Sequence, residues 1–269
     1  MKKINLKFGL IVLVIVVFIF SCRKETSETD GVELTETAND DLLAEEAMSV
    51  FGEDNDTTSL GLKRGSLNCG TRTTKLSKDS IIVNIDFAEA DKEGQLCTED
   101  GVFRAGKVIA KYYFKSPVKK LDSIRYITSN YNRNGVKIKG SKLVIFKDSI
   151  VIISVKDAQI RRLNRPTINW SCERTRTQIQ GFHTPDNRTD DKFRITGSSY
   201  GTNASTKPYK LSIIDPLIVS FGCLYIQKGS VKIERTGKKD ALIEYGNGDC
   251  DENAKLTIGN WSIDFLLRK

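Results

Sequence analysis

The chain has 269 residues and a formal net charge of +8, with 39% hydrophobic and 28% charged residues. The charge is uneven: residues 23–60 hold 12 acidic and 2 basic residues, whereas residues 61–269 hold 22 acidic and 37 basic ones, a net of +15. One histidine and the lack of a Cys-x-x-Cys motif leave zinc and iron without their usual ligands, so we predict no metal or other cofactor.

Residues 1–21 have the pattern of a signal peptide. Three lysines fall within the first seven residues, and a 13-residue apolar run follows from Phe8 to Phe20. A membrane-spanning helix needs about 20 apolar residues, so this run is too short to span and suits the apolar region of a signal peptide. An ordinary secretory signal and a short signal anchor remain as alternatives.

The signal ends in Ser21–Cys22, a small residue before a cysteine, which resembles the lipobox of bacterial lipoproteins. The resemblance implies cleavage before Cys22 and attachment of palmitate-like acyl chains, and several such chains hold a protein stably on a membrane. Arg23, rather than aspartate, follows Cys22. By resemblance to known sorting rules this points to the outer membrane, facing either the periplasm or the cell surface.

The composition of residues 22–65 predicts a lipidated, acidic and flexible tether, because it holds too few apolar residues to offset the entropy of ordering. Residues 39–51 differ, since Leu43, Ala47 and Val50 fall on one face of a helix. We therefore predict a short acidic helix over residues 39–51. The pattern leaves open whether this helix is transient or docks on the basic domain.

Residues 66–269 are predicted to form one all-β domain of antiparallel strands. In many segments apolar and polar residues alternate with a period of two, and Asn134–Gly135 and Gly259–Asn260 mark hairpin turns. This pattern favours an antiparallel meander that forms a large twisted sheet, a sandwich or a barrel-like roll. The predicted strands are Ser80–Phe87, Lys107–Phe114, Ser123–Tyr131, Val136–Phe146, Ile150–Ile160, Ile168–Gln178, Lys192–Thr196, Lys210–Ile214, Ile218–Gln227, Val231–Arg235, Leu242–Tyr245, Ala254–Ile258 and Trp261–Leu267.

Five cysteines remain once Cys22 is assigned to lipid, and an exported protein meets an oxidising environment. Their number alone does not determine the pairing. A repeat in the sequence favours one pairing scheme. An apolar–acidic–aromatic triplet, followed by an acidic loop with a cysteine, occurs at residues 85–87 and again at residues 243–245. We predict one disulfide in each copy, with Cys172 left as a buried free thiol. The two predicted disulfides are Cys69–Cys97 and Cys223–Cys250.

Five segments carry a resemblance to a known family: Ile85–Phe87, Gly101–Ile109, Asp190–Gly197, Pro216–Leu217 and Tyr245–Asp251. They resemble the uncharacterised β-rich lipoproteins of Bacteroidota-type bacteria, over about residues 69–266. The resemblance implies a lipoprotein with an all-β extracytoplasmic domain, and it implies no established activity. The family has a glycine after the first aromatic residue, where this chain has Ala88 and a longer insert.

The second cysteine loop has oxygen-bearing side chains at alternate positions, as calcium loops do. These side chains belong to Asn247, Asp249, Asp251 and Asn253. The glutamate at the twelfth position of a helix–loop–helix calcium site is missing, and Lys255 lies nearby. We interpret the segment as a disulfide-linked hairpin turn, with calcium as a weak alternative.

Two basic runs indicate an anion-binding surface, formed by Arg161, Arg162, Arg165, Arg174 and Arg176. An exported protein does not meet nucleic acid, so the expected partners are anionic polysaccharide, lipopolysaccharide or an acidic envelope protein. A solvated basic face that the acidic tether partly neutralises is the simpler alternative.

Asp–Ser–Ile occurs three times, with its serine at Ser80, Ser123 and Ser149. The sequence resembles the acceptor of an O-glycosylation system found in the same bacterial group. The alternative is that the aspartate of each copy leads a turn that opens a strand.

Residues 197–201 fit the G-x-S-x-G pattern of a nucleophile elbow, with Ser199 in the serine position. That elbow needs a helix after the serine and a histidine further on, but a loop composition follows and His183 precedes it. We therefore interpret residues 197–201 as a turn between strands. The sequence predicts a non-catalytic envelope lipoprotein of unknown specific activity, with a carbohydrate-directed hydrolase that uses loop carboxylates as the alternative.

Overall fold

The computed structural model describes residues 30–48, 70–88, 95–97, 102–115 and 120–267, apart from residues 46, 185, 186 and 188. The predicted signal peptide, Cys22, Cys69 and most of the predicted tether lie outside the described residues, as does the side chain of Cys97. A helix, α1, occupies residues 30–48, and strands occupy most of the remainder. The strands are β1 Thr71–Leu76, β2 Ser80–Asp86, β3 Gln95–Cys97, β4 Val102–Lys115, β5 Lys120–Arg133, β6 Val136–Lys147, β7 Ile150–Arg161, β8 Ile168–Gln180, β9 Lys192–Thr202, β10 Pro208–Ser220, β11 Lys228–Glu234, β12 Ala241–Asn247, β13 Asn253–Ile258 and β14 Trp261–Leu266.

All fourteen strands belong to one sheet, in which nearly every strand pairs with its neighbours in sequence. The order runs from β1 to β14 with antiparallel pairing throughout, and only β3 lies off the path, paired with β4. The predicted all-β antiparallel meander is confirmed. Of the three predicted architectures the large open sheet is the one that forms, with β1 and β14 as its edge strands.

β10 differs from its prediction, because it is one strand that ends at Ser220 and not two strands that end at Ile214 and Gln227. Its pairing with β11 shifts register on both sides of Asp215, which places β-bulges next to Pro216. Proline has no N–H to donate to a ladder, so a bulge lets the strand continue past it. β1 and β3 were not predicted from the sequence.

Inward-facing residues of the late strands form a row across the sheet. Val231 lies opposite Ile243, and Ile243 lies opposite Leu256 on the next strand. All three side chains are buried in one hydrophobic cluster that includes Leu34 and Ala38 of α1. Burying each such side chain contributes roughly 2 kcal/mol, so the alternating pattern accounts for much of the stability of this region.

The repeat seen in the sequence is also a repeat of structure. Each copy has two paired strands followed by a third that pairs with the second, as β1–β2–β4 and as β11–β12–β13. The cysteine between the last two strands lies in β3 in the first copy and in a loop in the second. The equivalent aromatic residues, Phe87 and Tyr245, are both buried. In each copy an acidic residue of the second strand lies opposite a lysine of the third strand. The pairs are Asp86 with Lys107 and Glu244 with Lys255.

α1 is part of the core, so the folded unit includes residues that the sequence analysis assigned to the tether. The helix already includes residue 30, nine residues before the predicted start, and its buried side chains include Leu34, Ala44 and Met48. The predicted helix boundary at residue 39 is therefore wrong. Gly31 packs so closely on the ring of Trp261 that a side chain there would collide with it.

Candidate functional site

α1 crosses one face of the sheet from the β11–β12 loop to β6. Near its start Asp30 forms an ion pair with Lys238 (3.0 Å), and Glu33 forms one with Arg235 (3.0 Å). At its other end the Met48 carbonyl accepts a hydrogen bond from Lys142 of β6 (2.9 Å). Residues 30–48 hold seven acidic and no basic residues, so an acidic helix lies on a basic domain.

Asp41 is the centre of this contact. One of its carboxylate oxygens, Oδ1, accepts hydrogen bonds from Trp170 Nε1 (2.7 Å), Ser199 Oγ (2.6 Å) and Tyr209 OH (3.0 Å). The three donors stand on β8, β9 and β10, so a single side chain of the helix is held by three adjacent strands. The carboxylate is almost fully buried, and donors of this kind replace the water that burial removes.

Arg174 lies beside this carboxylate and is also buried, with 3% of its side chain exposed. Its Nη2 is 3.5 Å from Asp41 Oδ2 and 3.6 Å from Glu45 Oε2, and it donates a hydrogen bond to Ser199 Oγ (3.3 Å). Burial alone would lower the pKa of Arg174, but the attraction of Glu45 and Asp41 outweighs burial and raises that pKa. The guanidinium therefore stays charged inside the interface.

Two further hydrogen bonds fix the middle of α1 to the β9–β10 loop. Asn203 donates to Thr37 Oγ1 (2.8 Å), and the Ala204 N–H donates to Asp40 Oδ2 (2.8 Å). Burial raises the pKa of Asp40, while the Ala204 N–H and the nearby Arg162 act in the opposite direction.

Tyrosine and cysteine side chains around the interface keep their protons. Burial raises the pKa of the Cys172 thiol to about 12, and the nearby Glu45 adds to this effect. Burial also raises the pKa of Tyr209, whose hydroxyl donates to Asp41, and it raises the pKa of Tyr245. At this interface the Arg174 guanidinium stays charged, while the Cys172 thiol and the hydroxyls of Tyr209 and Tyr245 keep their protons.

The structure does not bring the five predicted arginines together. Arg174 is buried under α1, and Arg176 of the same strand lies 4.9 Å from the ring centre of Phe193. Arg161, Arg162 and Arg165 are exposed at and beyond the end of β7. The acidic partner of Arg174 is therefore a helix of the chain itself.

The second predicted disulfide, Cys223–Cys250, is confirmed, and Cys172 is a buried free cysteine as predicted. Cys97 lies in β3 and Cys69 lies outside the described residues, so their predicted pairing stays a prediction.

The weak calcium candidates take part in turns. Asn247 Oδ1 accepts the N–H of Asp249 (3.3 Å), and Asp251 Oδ1 accepts the N–H of Asn253 (2.9 Å). These bonds support the interpretation of the loop as a hairpin turn. Within the described part of the chain, no group of three histidine, cysteine, aspartate or glutamate side chains is placed to hold a metal ion.

The three Asp–Ser–Ile serines differ in their surroundings. Ser80 is the first residue of β2, and Ser149 is exposed in the turn before β7, so both fit an aspartate-led turn. Ser123 does not fit, because it lies inside β5, where its hydroxyl donates to Asp122 (3.3 Å). Its half-buried position offers less access to a modifying enzyme than the exposed Ser149 does.

The G-x-S-x-G segment lies within β9, and the prediction of a turn there is wrong. A side chain at Gly197 or Gly201 would collide with the backbone of β8, so both glycines allow the two strands to approach. Ser199 donates to Asp41 and is fully buried, which places it in the helix contact. His183 lies in the exposed β8–β9 loop.

A depression of about 190 Å³ lies on β5–β8. Its lining includes Arg125, Lys156 and a single carboxylate, Glu173. A glycosidase needs two carboxylates about 5–10 Å apart across its cleft, and this depression has one.

The contact of Asp41 with Trp170, Ser199 and Tyr209 was not predicted from the sequence. A signal was present, because Leu34, Asp41 and Met48 recur every seven residues and lie on one helical face. An acid on an otherwise apolar stripe indicates a buried polar partner.

No helix in the described part of the chain is both long and apolar enough to cross a membrane. No protein-family model, curated protein or solved structure matches the chain. The fold and the site therefore define only a class: a single-sheet antiparallel β protein with an acidic helix built into its core.

Proposed function

We propose that the protein is a lipid-anchored lipoprotein of the outer membrane whose β domain is a non-catalytic binding or structural module. The signal pattern and Cys22 support the anchor, and the resemblance to β-rich lipoproteins supports the class. The module recognises an anionic partner of the envelope through the cations that α1 leaves exposed.

The contact of Asp41 with three strands fixes α1 on the sheet, and this observation carries the part of the proposal that places the domain close to the membrane. Asp30 of α1 lies eight residues after Cys22, so a chain anchored at Cys22 enters its folded domain almost at once. Eight residues span at most about 28 Å when fully extended, which holds the domain close to the membrane. A long flexible tether, as the composition suggested, would allow the domain to move much further away.

The arrangement of the acids supports a non-catalytic role. Asp41 is buried and bonded on both oxygens, and the loop residues Asn247 and Asp251 accept backbone hydrogen bonds within their own turn. The depression on β5–β8 has one carboxylate in its lining. None of these observations favours the hydrolase alternative, so we do not propose it.

The anchor is tested by metabolic labelling with palmitate and by membrane fractionation of cells that express the full chain. Cys22→Ser should abolish the label and move the protein out of the membrane fraction, because it removes the acylated thiol. Ser21→Ala is the matched control, since it keeps a small residue before Cys22 and should retain the label. A wild-type chain that takes up no palmitate would reject the proposal.

The outer-membrane location has its own test. Arg23→Asp introduces the residue that sorting rules associate with retention in the inner membrane, so the lipoprotein should shift to the lighter, inner-membrane band of a density gradient. Arg23→Lys should leave the distribution unchanged. An inner-membrane location of the wild-type protein would contradict this part of the proposal.

A further inference from the structure

The turn after β7 presents one apolar side chain between two arginines. The Arg165 N–H donates a hydrogen bond to the Arg162 carbonyl (3.2 Å), and Asn164 has a positive φ of 57°, which closes a four-residue turn. Leu163 stands at the tip of this turn with 80% of its surface exposed. No inward packing explains an apolar residue in that position.

Further cations lie next to this turn. Arg161 is the register partner of Lys137 on β6, and Lys139 follows two residues along the same strand face. Like charges directly opposite each other on a sheet repel, so the Lys137–Arg161 pair weakens the fold unless an anion lies over it. We use the name basic corner for the exposed residues Lys137, Lys139, Arg161, Arg162 and Arg165.

The basic corner lies at the end of the sheet where α1 begins. In an antiparallel meander the connections alternate between the two ends, so the β7–β8, β9–β10 and β11–β12 loops share one end. Lys238 of the β11–β12 loop holds Asp30 at the start of α1. Leu224 of the β10–β11 loop is also largely exposed, at 72%, but it lies at the opposite end.

We infer that the basic corner and Leu163 form a membrane-contact surface that binds the anionic headgroups of the membrane holding the lipid anchor. This inference rests on the proposed anchoring at Cys22. The short span between Cys22 and α1 keeps this end of the sheet near the membrane, where phosphate groups neutralise the repelling cations. Leu163 enters the boundary between headgroups and acyl chains, as apolar residues within basic surface segments do.

The test uses the lipidated full-length protein, reconstituted from detergent into vesicles that contain brominated acyl chains, which quench nearby tryptophan. Leu163→Trp and Leu224→Trp form a matched pair, because both sites are exposed loop tips at opposite ends of the sheet. We expect strong quenching of the tryptophan at 163 on anionic vesicles, little quenching at 224, and a loss of the difference at high salt. Equal quenching at both sites would overturn the inference.

A charge variant tests the cations directly. In the Leu163→Trp background, Arg161→Glu should convert the repelling pair with Lys137 into an attractive one, so the fold is not weakened while contact with anionic vesicles falls. Each cation near an anionic surface changes the association about fivefold, so this reversal should lower it by more than tenfold. Lys228→Glu, with the same charge change at the opposite end, should leave quenching unchanged, and an equal loss in both variants would overturn the inference.

Two other outcomes are distinguishable. If the protein does not float with vesicles of any composition, the lipid anchor itself has failed, and the proposed function fails with it. If the protein floats and a soluble acidic polysaccharide binds the basic corner while the tryptophan at 163 stays unquenched, anchoring stands and the membrane-contact surface is rejected.

Discussion

At the scale of single residues, Asp41 accounts for most of the specificity with which α1 is placed. Its carboxylate accepts hydrogen bonds from three strands and lies beside the buried guanidinium of Arg174. Breaking a buried ion pair by removing one partner costs far more than the pair contributes in net terms, because the remaining charge loses its compensation. The residue is therefore a sensitive point for mutation.

Asp41→Asn should lower the free energy of unfolding by about 3 kcal/mol, because it leaves Arg174 buried with only the more distant Glu45 and places an NH2 group among hydrogen-bond donors. Chemical denaturation of the purified protein measures this. Glu36→Gln is the matched control, since Glu36 is exposed on the same helix and loses the same charge. An Asp41→Asn variant as stable as Glu36→Gln would show that the interface does not depend on this carboxylate.

Ala88 follows the aromatic residue of the first copy of the repeat, and its backbone has an unusual conformation. It has a φ of 74°, in the left-handed region that glycine adopts readily and alanine does not. Its carbonyl accepts the N–H of Gly106 (2.8 Å), which holds the backbone in that conformation.

Ala88→Gly should raise the free energy of unfolding by about 0.5–1 kcal/mol, because removal of Cβ relieves a left-handed conformation that costs about 1–2 kcal/mol and glycine loses somewhat more entropy on folding. Thermal unfolding measures the change. Ala204→Gly, at a loop alanine without a positive φ, should lower stability. Destabilisation by both substitutions would contradict the argument.

At the scale of elements, the Cys223–Cys250 disulfide joins the segment before β11 to the β12–β13 loop. The bridge therefore encloses β11 and β12 in a loop closed over a sequence separation of 27 residues. The acidic residues around Cys250 serve as turn formers in this unit.

The double variant Cys223→Ser/Cys250→Ser should lose about 3.5 kcal/mol of stability, because the unfolded chain regains the entropy that a loop of this length removes. Denaturant unfolding under oxidising conditions gives the value. The single variant Cys172→Ser is a control for the chemical change, since it leaves the bridge intact. A double variant that unfolds at the same denaturant concentration as wild type would contradict a stabilising role.

At the scale of the whole molecule, the buried thiol of Cys172 and several buried tyrosine hydroxyls give the stability of the fold a shared dependence on pH. The pKa of Cys172 rises from 9.0 to about 12, and that of Tyr112 rises from 10.0 to about 12, in both cases chiefly through burial. Tyr209 and Tyr245 are raised as well. The unfolded chain releases these protons at lower pH than the folded protein, so their contribution to stability is complete below pH 9 and is lost as the pH rises towards 12.

Stability should therefore fall between about pH 9 and 12, with each group adding up to about 1.4 kcal/mol per pH unit. Unfolding measured across this range checks the slope. Tyr112→Phe separates one group, because the buried Tyr112 hydroxyl has no hydrogen-bond partner among the described residues. The variant should match or exceed wild type at pH 7 and decline less steeply above pH 10; superimposable profiles would contradict the assignment.

Local patterns in the sequence determined the fold class, most strand positions and the second disulfide. Alternation along β11, β12 and β13 is a property of neighbouring residues, and so is the repeat that placed Cys250 in an acidic loop. The position of Leu163 between Arg162 and Arg165 also follows directly from the sequence.

Only the tertiary structure decided what those residues contact. The composition around α1 indicated a tether, because the sequence does not show that Trp170, Ser199 and Tyr209 converge on one carboxylate from three strands. Strand pairing and the docking of α1 also place Arg174 inside the interface, whereas Arg161 lies beside Lys137 on the surface. Charge and hydrophobicity are local quantities, whereas the register of a fourteen-stranded sheet brings together residues more than a hundred positions apart.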